Sequence, residues 1–473
     1  MPVKHGIYTS EKATTFSSPI VAVSGIPFVI GTAPVQAAEN PAALGIPVLV
    51  ESYADFVDKF GWSDDWSKFT LCEFAYSHFV LYGRKPAIIV NLLDPSTMTT
   101  AVAAADMDVT AHRIELPGEA IDSSALVVKA QGGQGDAYVK DTAYTTYYAD
   151  GKLWIELLST GSAYSATKLN VAYNKVNTAA VTASGVVTGL EAIEYCATNL
   201  GMTPDLLLAP GYSQNATVAA AMATKAASIN GMFKAKALID LDTSVATSYS
   251  AAITKKSTDN LLDKYEVVCW PLLTFGGKTY HFSTHLAGLM AQVDTDNDGC
   301  PVESPSNKQL KCDGMVLASG TEVMLTHAQA CTLDDAGIVT ALNFLGGWVA
   351  WGNYTAVKGI STDIKDYFIS HSRMFAWVNN TVIRTFWSKL DKPMNRRLID
   401  TITDELNIWL SGLTGRDFLL GGRAEYAEDE NPMENLIQGI VKIHIYLTPA
   451  GPAKEIDFIL EYDANYVTDA FSE

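Results

Sequence analysis

The chain alternates between uncharged runs rich in Val and Ile and amphipathic helical patterns, and this alternation limits its fold more than any other feature. Ile20 to Ile30 carry no charge, and Gly31-Thr32-Ala33-Pro34 ends the run. Such a run predicts a strand buried on both faces. Ala87 to Leu93 repeats the pattern after a helical stretch at Leu71 to Tyr82. Strands that alternate with helices predict an α/β core, in which helices cover a sheet.

The composition changes between about Thr97 and Thr188. Short runs of Val, Thr, Ala, Ser and Tyr are separated there by Gly-rich turns. Asp150-Gly151 lies between two β-rich segments and is typical of a two-residue hairpin. We therefore predict a β-sandwich or barrel domain inserted at residues 96–188. The α/β core is then formed by residues 19–95 together with residues 189–358.

The last part of the chain, residues 359–464, predicts an α+β domain. From Met394 to Leu413, apolar residues recur every three or four positions, which favours an amphipathic helix. Gly439 to Thr448 and Glu455 to Asp463 each alternate apolar and polar residues, and Pro449 to Pro452 connects them. The pattern predicts a closing β-hairpin with one buried face. Residues 1–18 and 465–473 are predicted to be extended arms. The α/β core, the β domain and this last domain together predict the overall class α+β.

The charge balance excludes some partners. The 473 residues include 33 Lys and Arg against 52 Asp and Glu, a formal net charge of −19. An acidic surface repels phosphate, so we expect neither direct nucleic-acid binding nor direct membrane insertion. Charged residues make up only 18%, below the roughly 25% usual in soluble domains. Either large domains or a surface covered by other subunits would explain this low charge density.

The six cysteines are dispersed and form no Cys-x-x-Cys pair, which favours free thiols in a reducing compartment. Met1 to Ser10 lack the pattern of an export signal, so synthesis in the cytosol is expected.

Two loops carry weak signs of ligand binding. Gly277-Lys278-Thr279 follows an apolar run, but Leu272 stands where a phosphate-binding loop needs its first glycine. Asp294, Asp296 and Asp298 match the first half of a calcium loop, whose twelfth position is Pro305 instead of Glu. The three aspartates are thus weak candidates for a cation site, and ordinary turns explain both loops as well.

Two other patterns also fall short of a catalytic or metal site. His281 and His285 suggest zinc, but Cys300 and Cys312 are too far apart to supply a tight ligand pair. Gly211-Tyr212-Ser213 begins a nucleophile elbow without its second glycine. No enzymatic constellation remains, and no cofactor is predicted.

Lys389, Lys392, Arg396 and Arg397 form the densest basic cluster of this acidic chain. They lie at and before the start of the predicted long helix. The simpler interpretation is a solvated helix face. The alternative is a docking point for an acidic protein surface.

Several segments, read in order, resemble contractile-tail sheath proteins of phages and R-type bacteriocins. The similar segments are His5-Gly6-Ile7, Phe28 to Pro34, Trp270 to Leu273, His285 to Gly288, Ser304 to Asn307, Trp351 to Thr355, Gly421-Gly422 and Pro452 to Ile456. Each segment alone is unspecific, but their order spans nearly the whole chain. Tyr354 departs from the pattern, because that family usually has Arg there, which puts in doubt any salt bridge the usual Arg makes.

The resemblance implies a structural subunit without enzymatic activity or cofactor. Such subunits polymerise in the cytoplasm of the producing bacterium as stacked hexameric rings around an inner tail tube. Baseplate and tail-terminator proteins are the other implied partners. Contraction then drives the tube through a target cell envelope, and the subunit ends in the released virion or tail-like particle.

The resemblance also implies that terminal arms add strands to a neighbour's closing hairpin. The residues expected in this exchange are Val3, His5, Ile7, Val441, Ile443, Ile445, Ile456, Phe458, Leu460, Tyr466 and Val467. Lys392, Arg396 and Arg397 are the candidates for facing an acidic tube.

Two rival interpretations remain. One is a cytosolic α/β nucleotide- or metal-binding enzyme with a β insert, supported only by the loops at Gly277 and Asp294. The other is a sheath-like component that terminates a tail.

Overall fold

The first part of the core contains three strands and two helices. The computed structural model describes residues 20–471. The first part of the core consists of β1 (Pro27–Gly31), β2 (Val48–Val50), α1 (Tyr53–Phe60), α2 (Thr70–Ala75) and β3 (Ala87–Asn91). Every residue of β1 and β3 is buried, as their uncharged sequences predict. The prediction is wrong for the first part of the earlier run, because Ile20 to Ile26 form no strand and Ile20, Val21 and Val23 are exposed. Ser52 caps α1 by accepting a hydrogen bond from the Asp55 N–H.

Seven strands follow in the β-rich region: β4 (Thr99–Asp108), β5 (Arg113–Pro117), β6 (Ala120–Ile121), β7 (Val127–Ala130), β8 (Tyr144–Ala149), β9 (Lys152–Leu157) and β10 (Lys168–Val176). One antiparallel sheet has the order β4-β10-β6, with β7 also paired to β10, and the other has the order β5-β9-β8. The predicted hairpin turn at Asp150-Gly151 is present between β8 and β9, with both residues at positive φ. The two sheets share an apolar cluster of their own. The boundaries 96–188 stay a prediction.

The core then resumes with six helices and eight strands. These are α3 (Ala183–Gly189), α4 (Cys196–Leu200), β11 (Leu206–Leu208), α5 (Ala216–Ala227), β12 (Lys236–Asp240), α6 (Tyr249–Thr258), β13 (Glu266–Cys269), β14 (Leu272–Phe275), β15 (Lys278–Tyr280), α7 (Phe282–Asp296), β16 (Gly314–Val316), α8 (His327–Asp335), β17 (Ile338–Phe344) and β18 (Gly347–Trp351).

The central sheet has eight strands in the order β18-β17-β13-β12-β11-β1-β3-β2. The six inner strands are parallel, and β18 and β2 pair antiparallel at the two edges. Strands from before and after the β-rich region lie side by side, since β1 pairs with β11. The sheet and its helices form one apolar cluster. The central sheet is therefore built from strands that come from both sides of the β-rich region in sequence.

The last part contains α9 (Ile364–Tyr367), α10 (Ile369–Phe386), α11 (Arg396–Thr414), β19 (Leu419–Glu425), α12 (Met433–Ile437), β20 (His444–Pro449) and α13 (Asn465–Phe471). The predicted amphipathic helix is α11, and its Leu406, Leu410 and Leu413 are buried in a third apolar cluster. That cluster also holds Trp377 of α10 and receives Ala22 from the start of the described chain.

Two predictions for the end of the chain are wrong. β20 pairs with β19 instead of with residues 455–463, which form no strand. Alternation indicates one apolar face but does not specify the partner strand. Residues 465–471 form the helix α13 instead of an extended arm. The Asp463 side chain accepts a hydrogen bond from the Asn465 N–H, which favours a helix start there.

Candidate assembly surfaces

An exposed apolar segment lies between β20 and α13. Ile456 is 67% exposed, Phe458 85%, Leu460 95% and Tyr462 80%. These large side chains follow one another on a segment without regular structure. Exposed apolar surface of this density usually marks an interaction site. Three of the residues expected in strand exchange, Ile456, Phe458 and Leu460, are thus exposed in this segment.

The two-stranded sheet of β19 and β20 precedes this segment in the chain. Its register places Gly422 opposite Leu447 and Ala424 opposite Ile445. Ile443, Ile445 and Leu447 pack against the apolar cluster of α10 and α11. Because the sheet has only two strands, each strand has an outer edge beside which no strand of residues 20–471 lies. Such an edge can accept a further strand.

The other residues expected in strand exchange have different positions. Val441 is half-buried and lies just before β20. Tyr466 and Val467 are exposed on α13. Val3, His5 and Ile7 lie outside the described residues. The strand β19 is not evident from its residues, because Gly421 and Gly422 lower its strand propensity.

Lys454 fixes the start of the exposed segment to the core. Its Nζ donates to the Tyr354 hydroxyl at 2.9 Å and lies 3.2 Å from an Asp334 carboxylate oxygen. Burial alone would lower the pKa of Lys454, but its bonds to Tyr354 and Asp334 raise it. The ammonium also lies 4.2 Å from the centre of the Tyr354 ring. Tyr354, which departs from the family pattern, therefore serves as a partner for the terminal segment.

The three aspartates do not form a cation site. Asp294 is buried in α7, and its carboxylate is bound by the Arg373 guanidinium at 2.8 and 2.5 Å. Asp298 lies 2.6 Å from Arg416 at the surface. The sequence spacing suggested a loop, whereas α7 extends through Asp296 and turns Asp294 toward Arg373. The weak calcium prediction is therefore wrong, since the key carboxylate already has a cationic partner.

Arg373 lies at the centre of a buried ionic network. It also contacts Asp205 at 2.8 Å. Burial would lower the pKa of Arg373, but the carboxylates of Asp294 and Asp205 raise it above its ordinary value. Ser24 donates to Asp294 at 2.6 Å. The network joins four segments that are distant in sequence, and no local pattern could reveal it.

The basic cluster lies on an open surface. Lys392, Arg396 and Arg397 are exposed, and Asn395 caps α11 between them. Arg396 pairs with Asp400 one turn later at 2.8 Å. Lys389 lies 3.2 Å from Glu405. The exposed charges are placed so that a partner can reach them, and their role stays a proposal.

The loops of the enzyme interpretation have structural partners. Gly276 and Gly277 form the tight turn between β14 and β15, and Lys278 contacts Asp64 at 3.1 Å. Ser213 donates to Asp240, which also accepts from Ser283.

The two histidines of the imagined zinc site have different environments. His281 binds Glu73 at 2.8 Å. Burial opposes the charged form of His281, but Glu73 outweighs this effect and raises its pKa to about 9. His285 is buried, and burial lowers its pKa to about 3.

Comparisons with known proteins agree on one class. No protein-family model matches the chain. The tail sheath protein of Burkholderia phage BcepMu is 27% identical over 494 residues, covering 98% of this chain and 97% of the relative. The tail sheath protein of Escherichia phage P2 is 23% identical over 299 residues, covering 61% of this chain and 72% of that relative.

Solved structures show the same fold at lower identity. A chain of the anti-feeding prophage baseplate has a TM-score of 0.59 and 15% identity, with coverage of 98% of this chain and 100% of that one. The contracted PVC sheath of an extracellular contractile injection system also has a TM-score of 0.59, with 14% identity and the same coverage.

The fold is thus that of contractile sheath proteins, and the relatives are structural proteins. The resemblance seen in the sequence is confirmed: the relatives are tail sheath proteins, one of them similar over nearly the whole chain, and the chain has the fold of contractile sheath structures. Among residues 20–471, no helix is long and apolar enough to cross a membrane.

Proposed function

We propose that this subunit polymerises as stacked hexameric rings around an inner tail tube and contracts to drive the tube through a target cell envelope. The observation that carries the proposal is the exposed apolar segment from Ile456 to Tyr462, which follows a two-stranded sheet in the chain. Neighbouring copies would cover this surface in an assembly. The similarity to a contracted sheath and to a baseplate chain supports contraction and a baseplate partner. A tail-terminator protein completes the proposed partners.

Assembly takes place in the cytoplasm of the producing bacterium, and the subunit then leaves in a virion or tail-like particle. The low share of charged residues, 18%, fits a surface that other subunits cover. Eleven acidic residues and two lysines lie between Ala424 and Glu473, the region proposed to contact neighbours.

Strand addition keeps neighbouring copies attached in this proposal. The open edges of β19 and β20 receive strands from other copies, and Ile456 to Tyr462 and Val3 to Tyr8 are the donors. Main-chain hydrogen bonds do not depend on the diameter of a ring. Subunits can therefore rotate during contraction while the strands stay paired.

Truncation of the arm tests strand addition. Deleting Met1 to Ser10 leaves a soluble, folded subunit that forms no sheaths, because the donor strand is missing. Negative-stain micrographs and circular dichroism measure the two properties. Normal sheaths from this truncation would contradict the proposal.

A point variant tests the other donor. The change Phe458→Ser with Leu460→Ser removes apolar surface that the isolated subunit does not bury, so the melting temperature stays unchanged and sheath yield falls. Val139→Ser with Leu345→Ser is the matched control, since both side chains are exposed elsewhere. An equal fall in yield for both pairs would remove the special role of the segment.

The basic cluster is proposed to face an acidic tube. Reversing the charges of Lys392, Arg396 and Arg397 to Glu then weakens tube-bound extended sheaths. Reversal of Arg113, Lys152 and Lys168, exposed cations of the insert, is the control. Unchanged extended sheaths after the first reversal would exclude this role.

A further inference from the structure

One face of α10 binds the beginning of the described chain. Ile20 to Ser24 run along this helix without belonging to any sheet. The contacts come from four buried side chains at every fourth position of α10. These residues, which we call the arm anchor, are Arg373, Trp377, Thr381 and Thr385.

The arm anchor bonds to the segment at every second residue. The Thr385 hydroxyl accepts the Ile20 N–H at 3.1 Å, and the Thr381 hydroxyl accepts the Ala22 N–H at 3.1 Å. The Trp377 indole N–H donates to the Ala22 carbonyl at 2.8 Å. Arg373 donates to the Ser24 hydroxyl at 3.1 Å. Alternate main-chain groups are thus satisfied, as they are at the edge of a sheet.

The repeats of helix and segment match. Four residues of an α-helix rise about 6.0 Å. Two residues of an extended chain span about 6.6 Å. The segment runs antiparallel to α10, because Ile20 lies at Thr385 and Ser24 at Arg373. A helix therefore takes the place that a neighbouring strand occupies in a sheet.

The side chains of the segment fit this arrangement. Ala22 faces α10 and is 3% exposed, whereas Val21 is 42% and Val23 52% exposed. A small residue at position 22 allows the main chain to approach the helix. The segment is thus held by its backbone, and its larger side chains lie on the outside.

The segment then enters the core through Gly25. Gly25 has a φ of +77°, and a Cβ there would lie 2.8 Å from the Cα of Ala291 in α7. Asp205 accepts the next N–H, that of Ile26, at 2.7 Å. Arg373 binds the same carboxylate group as well as that of Asp294. One arginine thus links the segment, α10, α7 and the start of β11.

We propose that the arm anchor transmits load from the N-terminal arm to the subunit. A pull on residues before Ile20 reaches α10 first and then, through Arg373, the central sheet and α7. When a neighbouring subunit pulls on the arm, the force therefore acts on α10 in the last part of the chain and on the central sheet of the core at the same time. This inference rests on the proposed strand addition and identifies Thr381 and Thr385 as positioning residues.

The test removes the two hydroxyl acceptors in the full-length protein. Thr381→Val with Thr385→Val keeps side-chain shape and deprives the Ile20 and Ala22 amides of their partners. We expect amide exchange at Ile20 and Ala22 to rise at least tenfold in the isolated subunit. Sheath yield in micrographs falls at least tenfold. Thr381→Ser with Thr385→Ser, which retains the hydroxyls, restores both to within twofold.

Thr401→Val with Thr403→Val is the matched control, because those hydroxyls bond only within α11. It leaves exchange and yield within twofold of the parent. Unchanged exchange at Ile20 and Ala22, or wild-type sheath yield in the double Val variant, overturns the arm anchor. Normal sheaths after deletion of Met1 to Ser10 overturn strand addition itself, so the two failures are distinguishable.

Discussion

Two segments near the ends of the described chain have no regular structure, but only the first is bound along its length to its own subunit. Ile20 to Ser24 bond to α10 at alternate residues, and Ala22 is 3% exposed. Ile456 to Tyr462 follow Lys454, whose side chain bonds to Tyr354, and Leu460 is 95% exposed. Both segments are rich in apolar residues. The difference teaches that an apolar segment is bound where a surface offers hydrogen-bonding groups at its own repeat, and we propose that the second segment meets such a surface on another copy.

Loss of Arg373 is expected to have the largest effect on stability. Arg373→Met leaves the buried carboxylate of Asp294 without its cation and frees the Ser24 end of the first segment. Removing one partner of a buried pair costs about 3–5 kcal/mol of unfolding free energy. Urea denaturation measures it. Arg416→Met, which breaks an exposed pair with Asp298, is the control and costs about 0–1 kcal/mol. Equal losses for both variants would contradict the central place of Arg373.

Acid pH is expected to lower the stability of the core through His285. His285 is buried with a pKa of about 3, against an ordinary value of 6.5. The unfolded chain binds a proton below pH 6.5 and the folded chain does not, so His285 costs stability as the pH falls from 6.5 toward 3.

His285→Phe removes this cost. Between pH 7.5 and pH 5 its unfolding free energy, relative to the parent, improves by about 2 kcal/mol. When both proteins are truncated after Glu455, His285→Phe is expected to improve the unfolding free energy by the same amount, because the exposed segment contributes nothing to the environment of His285. A pH-independent difference between variant and parent would show that His285 titrates normally.

Loss of Lys454 is expected to have the smallest effect. Lys454→Met removes the contacts to Tyr354 and Asp334 that fix the start of the second segment. Because the side chain is partly exposed, the cost is about 0.5–1 kcal/mol. Amide exchange at residues 450–455 rises, whereas exchange at Ile20 and Ala22 stays constant. Lys442→Met, at an exposed position, is the control. A rise at both ends would show that the ends are coupled.

The sequence was sufficient where a structural element depends on its own residues. The uncharged runs predicted β1 and β3, Asp150-Gly151 predicted a hairpin turn, and the apolar stripe predicted α11. It was insufficient where an element depends on a distant partner. Alternation in Ile456 to Tyr462 led to a hairpin that does not form, because β20 pairs with β19.

The candidate surfaces follow the same rule. The alternating pattern predicted the apolar residues of the exposed segment, because that pattern is visible in the segment's own sequence. The Arg373 network joins Arg373 to Ser24, Asp205 and Asp294, which lie 349, 168 and 79 residues earlier in the chain. Such contacts become visible only when the fold brings the segments together.

The central claim is that the exposed segment pairs with another copy. Two differently tagged populations of the subunit, one carrying a photo-crosslinking benzoylphenylalanine in place of Phe458, are mixed before assembly and irradiated as sheaths. The account predicts cross-links between differently tagged chains that map to β19 or β20. Cross-links confined to the chain that carries the probe would contradict it.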